Sequence, residues 1–288
     1  MRSEKEILDL ILSFAGAHDS IRAMVMNGSR ANPNLGKDPF QDYDIACYTT
    51  DVSSFVRQPS VPAYFGRIMI LQMPNDMHDP PPDHHDSYNY LMQFMDGSRI
   101  DLSFNPMESV KKVAEDSLSI VLLDRDNLLS GILPASEKSY LPKRPTRKSF
   151  DDCCNEFWWL NPYVAKSLWR GQLTFAKSIM EKYIRAELIK MIVWENAERT
   201  RYAVAPGYEE KHLQRLMEPQ EWRELLGTYP DARPEGMWDA LFAAGRLFRK
   251  AAYQVAEHNG FEYPQNDDAA VSEFIEKIRT LPADALDL

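Results

Sequence analysis

The sequence predicts an α+β protein in two parts, an N-terminal mixed-sheet domain followed by a C-terminal α-helical bundle. Three observations carry that reading. The first half alternates short β-type runs with Gly- and Pro-bearing turns, the second half is periodic at helical spacing almost throughout, and a basic, proline-bearing stretch separates them. A chain of 288 residues is long enough for two domains with separate cores.

The elements follow in order. Ile7, Leu8, Ile11, Leu12 and Phe14 recur at helical spacing over residues 4–17 with charges opposite, an amphipathic opening helix. Ile21–Asn27 reads as a strand closed by Gly28 and the turn-rich stretch 32–39. Residues 42–49 (DYDIACYT) alternate, which puts Asp42 and Asp44 on one face of a strand and Tyr43 and Ile45 on the other. Strands are also expected over 67–73, 88–95 and 99–104, the last two joined by a hairpin turn at Asp96-Gly97-Ser98, where Asp96 serves the backbone. Residues 74–86 contain Pro80-Pro81-Pro82 and read as a loop, and their His78, His84 and His85 lack the spacing of a zinc site. The domains are expected at 1–135 and 151–288 with 136–150 as the linker, and helices near 155–170, 174–200, 208–226, 237–259 and 268–280.

Composition narrows the function. With 33 Lys+Arg against 43 Asp+Glu the net charge is −10, which disfavours a nucleic-acid partner, because that affinity rests on basic residues displacing counterions. Three cysteines, two of them adjacent, form neither a disulfide framework nor a zinc pattern and suit a reducing compartment. Glu4, Glu6 and Asp9 interrupt the N-terminus and no run of about 18 apolar residues occurs, so no membrane partner and a cytoplasmic location are expected. A monomer is expected, since two domains of this size bury adequate cores alone.

The chemistry is concentrated in Gly28-Ser29-Arg30, then Asp42-Tyr43-Asp44, then Asp101 in RIDL. A Gly-Ser corner after a strand exposes N–H groups and a hydroxyl that can cradle phosphate oxygens. Two carboxylates at i and i+2 of a strand share a face and can hold Mg²⁺, a hard cation that takes few protein ligands and leaves positions for phosphate oxygens. A third carboxylate, Asp101, can complete a two-metal site or accept the proton of an attacking hydroxyl. Arg30, next to the corner, suits stabilisation of charge on the transferring phosphoryl group.

In order and spacing this set resembles the DNA polymerase β-like nucleotidyltransferase superfamily over roughly residues 20–104. A closer similarity extends over nearly the whole chain. NGSRANPN with QDYDI, MDGSRIDLSF, and EFWWLNPYVAKSLWRGQLTFAK with KMIVW resemble the aminoglycoside 6-adenylyltransferases, which move AMP from ATP onto a streptomycin hydroxyl. The resemblance implies ATP as co-substrate, Mg²⁺ as cofactor and an aminoglycoside, streptomycin first, as acceptor, with both substrates held in the cleft between the domains. It places Ser29 and Arg30 at the phosphates, Asp42 and Asp44 at Mg²⁺, and Asp101 as base or third ligand, the base being the expected role. Lys177 is the expected cation from the helical domain over the triphosphate. Streptomycin's guanidinium groups call for carboxylates, with Glu156 the first choice over Asp151, Asp152 and the loop residues Asp76, Asp79, Asp83 and Asp86. Trp158 and Trp159 point about 100° apart on a helix, so one of the two is expected to line the cleft and the other to pack. Three alternatives remain at this level: a different hydroxyl acceptor, an antitoxin-like interaction module on the same fold, and an RNA-modifying transferase.

Overall fold

The computed structural model describes residues 2–287, whose contacts divide the chain into two units between Ser139 and Tyr140. In the first unit, helix α1 (Glu4–Gly16) starts at a capping box in which Ser3 and Glu6 satisfy each other's backbone N–H groups. Strands β1 (Ile21–Asn27) and β2 (Tyr43–Thr49) follow, then α2 (Ser60–Phe65), β3 (Ile68–Gln72), β4 (Tyr88–Phe94), β5 (Arg99–Pro106) and β6 (Ile120–Asp124). They form one sheet in the order β3-β4-β5-β2-β1-β6, in which β2 and β5 run parallel and every other pair antiparallel.

Burial alternates along β4 and β5 as a half-covered sheet requires. Ile100, Leu102, Phe104, Tyr90 and Met92 pack with Ile7, Ile11 and Phe14 of α1 and Phe65 of α2, and Phe55 stacks on Phe104 at 4.1 Å between centroids. The odd positions of β5, Arg99, Asp101 and Ser103, therefore face away from that core. Asp96-Gly97 turns β4 into β5, with Gly97 at φ +88°. Partial burial opposes ionisation of Asp96, yet bonds from Ser98 and Arg2 outweigh it and hold the carboxyl far below its ordinary range.

Differences from the sequence reading are local. Strand β2 begins at Tyr43, so Asp42 sits at its threshold rather than inside it. Strand β6, helix α2 and a 3₁₀ segment at Met107–Glu115 were not expected; β6 (IVLLD) is a short apolar run without alternation, which carries no period to read.

The second unit consists of α3 (Arg147–Trp169), α4 (Leu173–Ile179), a π-helical turn (Met180–Ile184), α5 (Arg185–Arg199), α6 (Leu213–Leu216), α7 (Pro219–Leu226), α8 (Pro234–Asn259) and α9 (Gln265–Thr280). Its core centres on Phe157 stacked against Phe248 at 3.8 Å, with Leu188, Met191 and Val255 around them. Helix α3 begins earlier than expected, at the Thr146 cap, so Arg147 and Lys148, read as linker, form its first turn and pair with Asp151 and Asp152 one turn on. The expected helix over 208–226 is broken, because Pro219 can begin a helix but not continue one. Among the described residues no helix is long and apolar enough to cross a membrane.

Candidate active site

The corner after β1 is a 3₁₀ turn over Gly28–Ala31, and Gly28 adopts φ +74°. A Cβ built at Gly28 would stand 2.1 Å from Asp44 Oδ2, so the carboxylate of Asp44 lies directly against the corner, and only glycine leaves it room. Asn27 pairs with Asp44 across β1 and β2 and donates from Nδ2 to Asp116 (3.2 Å) and Ser119 (2.6 Å), which ties the strand end to the segment before β6.

The parallel register of β2 and β5 sets Asp44 beside Asp101. Side chains of directly paired positions share a face, so Asp44 and Asp101 lie on one face at the centre of the sheet, with Asp42 two residues before Asp44, although β2 and β5 are far apart in sequence. Arg99, two positions before Asp101, shares that face. Its Nε and Nη2 donate to Asp101 at 2.8 and 2.6 Å, and its Nη1 stands 3.3 Å from Asp42. Hydrogen bonding to Asp101 first, then the nearby charges of Asp101, Asp42 and Asp44, raise the Arg99 guanidinium above its ordinary value against the opposing effect of burial.

Arg30 does not lie free at the corner. Its guanidinium stacks 3.8 Å above the Tyr43 ring and donates from Nε and Nη2 to the Gln41 carbonyl, at 3.1 and 2.9 Å. In this position it fastens the Gly28–Asp42 connection to the start of β2, with Nη1 outside those bonds.

The donor set fits Mg²⁺ in kind. The carboxylate oxygens are hard ligands, Asp44 and Asp101 are paired in register, and Mg²⁺ needs only one or two such groups beside substrate phosphates. Among the described residues no three His, Cys or carboxylate side chains converge on a common point. Asp42 and Asp101 are instead bridged by the Arg99 guanidinium.

In the helical unit the candidate residues separate. Trp158 is 3% exposed, donates from Nε1 to the Tyr263 hydroxyl at 3.0 Å and packs edge-on against Phe157, so its expected place at a substrate surface gives way to a core role. Trp159 is 63% exposed, and Glu156 is exposed on the same helix. Lys177 donates to the Pro230 carbonyl at 3.2 Å, so its ammonium braces the connection before α8. Asp76 meets a guanidinium as a loop carboxylate was expected to, but that of Arg57 in its own unit, with His85 and the Tyr88 hydroxyl also on it. Arg99 and Asn27 were missed, although the i−2 position of Arg99 relative to Asp101 was a readable signal.

A mixed sheet that carries a Gly-Ser corner and the carboxylates of two paired central strands is a nucleotidyltransferase-like fold. The profile of the streptomycin adenylyltransferase family matches residues 1–278, and the chain belongs to that family. It is 37% identical to an aminoglycoside 6-adenylyltransferase of Bacillus subtilis (strain 168) over 93% of this chain and 95% of that one. Aminoglycoside 6-adenylyltransferases of Campylobacter jejuni (36%; 93% of each chain) and Staphylococcus aureus (32%; 96% of this chain and 98% of that one) are similar over the same extent. A crystal structure of an aminoglycoside 6-adenyltransferase from Bacillus subtilis aligns over 98% of this chain and 100% of its own, at 33% identity and a TM-score of 0.49.

Proposed function

We propose that the protein transfers AMP from ATP to a hydroxyl of an aminoglycoside, streptomycin at its 6-position, with release of pyrophosphate and Mg²⁺ as cofactor, in the cytoplasm. The observation that carries this reading is the pairing of Asp44 with Asp101 across parallel β2 and β5, with the Asp44 carboxylate against Gly28. Relatives named aminoglycoside 6-adenylyltransferases support the choice of acceptor.

Asp42 and Asp44 would hold Mg²⁺, which when bound neutralises charge on the phosphate oxygens. The N–H groups and hydroxyl of the Gly28-Ser29 corner bind and orient the triphosphate, and Arg30 lends positive charge beside it. Asp101, kept in one orientation by the two bonds from Arg99, accepts the proton of the attacking hydroxyl. AMP then passes to the acceptor in a single in-line displacement. Positioning and charge neutralisation account for the rate, and the carboxylates form no covalent intermediate. Exposed Glu156 and Trp159 on α3 offer the acceptor a carboxylate for guanidinium and an aromatic face for its rings.

The test incubates the protein with ATP, Mg²⁺ and streptomycin beside a panel of other aminoglycosides, following pyrophosphate and the mass of each drug. An AMP adduct on streptomycin confirms the reading. No adduct on any aminoglycoside, with ATP still bound, refutes the acceptor. In the same assay Asp101→Asn loses transfer while keeping Mg²⁺ affinity if Asp101 is the base; lost affinity makes it a ligand instead.

A further inference from the structure

We infer that Arg99 is a built-in counter-cation of the carboxylate face, which bridges Asp42 and Asp101, competes with a divalent ion for Asp42 and so sets how weakly the carboxylates take one. The inference rests on the reading of Asp42 and Asp44 as metal ligands and adds a residue that reading leaves without a role.

Asp44 and Asp101 are paired in the parallel register and Asp42 lies two residues before Asp44, so like charges gather on one face of the sheet. The sequence supplies the cation on the same face, two residues before Asp101. Its planar fork grips Asp101 through two nitrogens and reaches Asp42 with the third, so a single guanidinium bridges the start of β5 and the threshold of β2. Its neighbour Gln93, cross-strand on β4, donates to Gly97 and Ser98 carbonyls, so no other side chain of that pair competes for the carboxylates.

The two carboxylates are held unequally. Arg99 grips Asp101 in a bidentate way, at 19% exposure of the carboxylate, whereas it reaches the 34% exposed Asp42 with Nη1 alone, at 3.3 Å. Asp42 is therefore the partner that a divalent ion wins from Arg99, while Asp101 keeps its orientation. Such an arrangement lowers affinity for a free ion, because the incoming charge meets both competition for an oxygen and a positive neighbour. It also keeps Asp101 aligned before any substrate arrives. Arg99 is thus a positioning residue that acts through Asp42 and Asp101.

The experiment titrates Mn²⁺, without nucleotide or acceptor, into the wild-type chain, Arg99→Gln, Arg99→Lys and Asp44→Asn, reading free Mn²⁺ by electron paramagnetic resonance. Arg99→Gln should bind Mn²⁺ about tenfold more tightly than wild type. Arg99→Lys, which keeps the charge but cannot fork across two carboxylates, should fall between them. A merely structural role would leave affinity unchanged or weaken it. Equal or weaker binding by a folded Arg99→Gln, where wild-type binding is abolished by Asp44→Asn, overturns the inference and leaves the metal reading standing. If Arg99→Gln does not fold, unchanged affinity in Arg99→Lys overturns it equally. No binding by wild type and by either Arg99 variant overturns the metal reading and this inference together.

Discussion

The Asp44 carboxylate fills the space that a Cβ on Gly28 would need, and that crowding makes substitutions at both positions informative. Gly28→Ala places a methyl group on the Asp44 carboxylate at a backbone angle, φ +74°, that L-residues avoid. It should destabilise the first unit by about 1–2 kcal/mol, seen as a lower melting temperature, and reduce AMP transfer further than the fold loss explains. Asp44→Asn removes charge without bulk. Transfer should fall by about a hundredfold or more while the melting temperature stays near wild type; undiminished turnover would remove Asp44 from the site. At this scale the sequence was most legible where chemistry imposes a local period. Asp42 and Asp44 could be placed on one face from the alternation in DYDIA alone. Arg99 obeys the same parity but has no motif of its own, and the engagement of Arg30 with Tyr43 and Gln41 depends on how the intervening loop closes.

Two elements carry titratable groups whose surroundings decide how each element responds to pH. Glu195 on α5 is 5% exposed, and its Oε1 has no hydrogen-bond partner. Burial first, and then the charge of Glu221, raise its carboxyl to about 7 against Arg199 and Lys250. A folded-state value above the unfolded one means that Glu195 favours folding fully below about pH 4.5 and loses that contribution as the pH rises through 7. Glu195→Gln should therefore stabilise the helical unit at pH 8 by roughly 1–3 kcal/mol, an advantage that shrinks by pH 5 in melts recorded at both. Asp76 behaves in the opposite sense. The bonds from Arg57 chiefly, and from Tyr88 after them, overcome its desolvation and lower its carboxyl to about 2, so its contribution is present above about pH 4 and fades as the pH falls towards 2. Asp76→Asn should release the 77–87 segment, detected as faster proteolytic cutting there at neutral pH. Such environments could not be read from the chain, because Glu195 and Asp76 become unusual only through neighbours distant in sequence. The π-helical turn at Met180–Ile184 was equally illegible: residues 174–200 carry one helical period, and the slip shows only in packing.

Over the whole molecule the acidic excess becomes a kinetic quantity. A chain of net charge −10 attracts a polycationic acceptor at long range and loses that attraction as salt screens it. KM for streptomycin should rise several-fold between about 50 and 500 mM NaCl with little change in kcat; a flat KM would place recognition entirely in short-range contacts. The two-part architecture was legible in the change of hydrophobic period. The strand order was not, because pairing β2 with β5 in parallel is a choice made across the α2, β3 and β4 segments rather than within any one of them. That seam also has a temporal meaning. Hairpin β4–β5 closes across a tight turn and can form early, whereas β2 meets β5 only after the long segment that holds α2, β3 and β4 has been drawn in, a slow, non-local event. Asp44 and Asp101 first become neighbours at that moment. Regained AMP transfer during refolding should therefore lag behind the return of secondary structure, and an incompletely folded chain carries Asp44 and Asp101 without bringing them together.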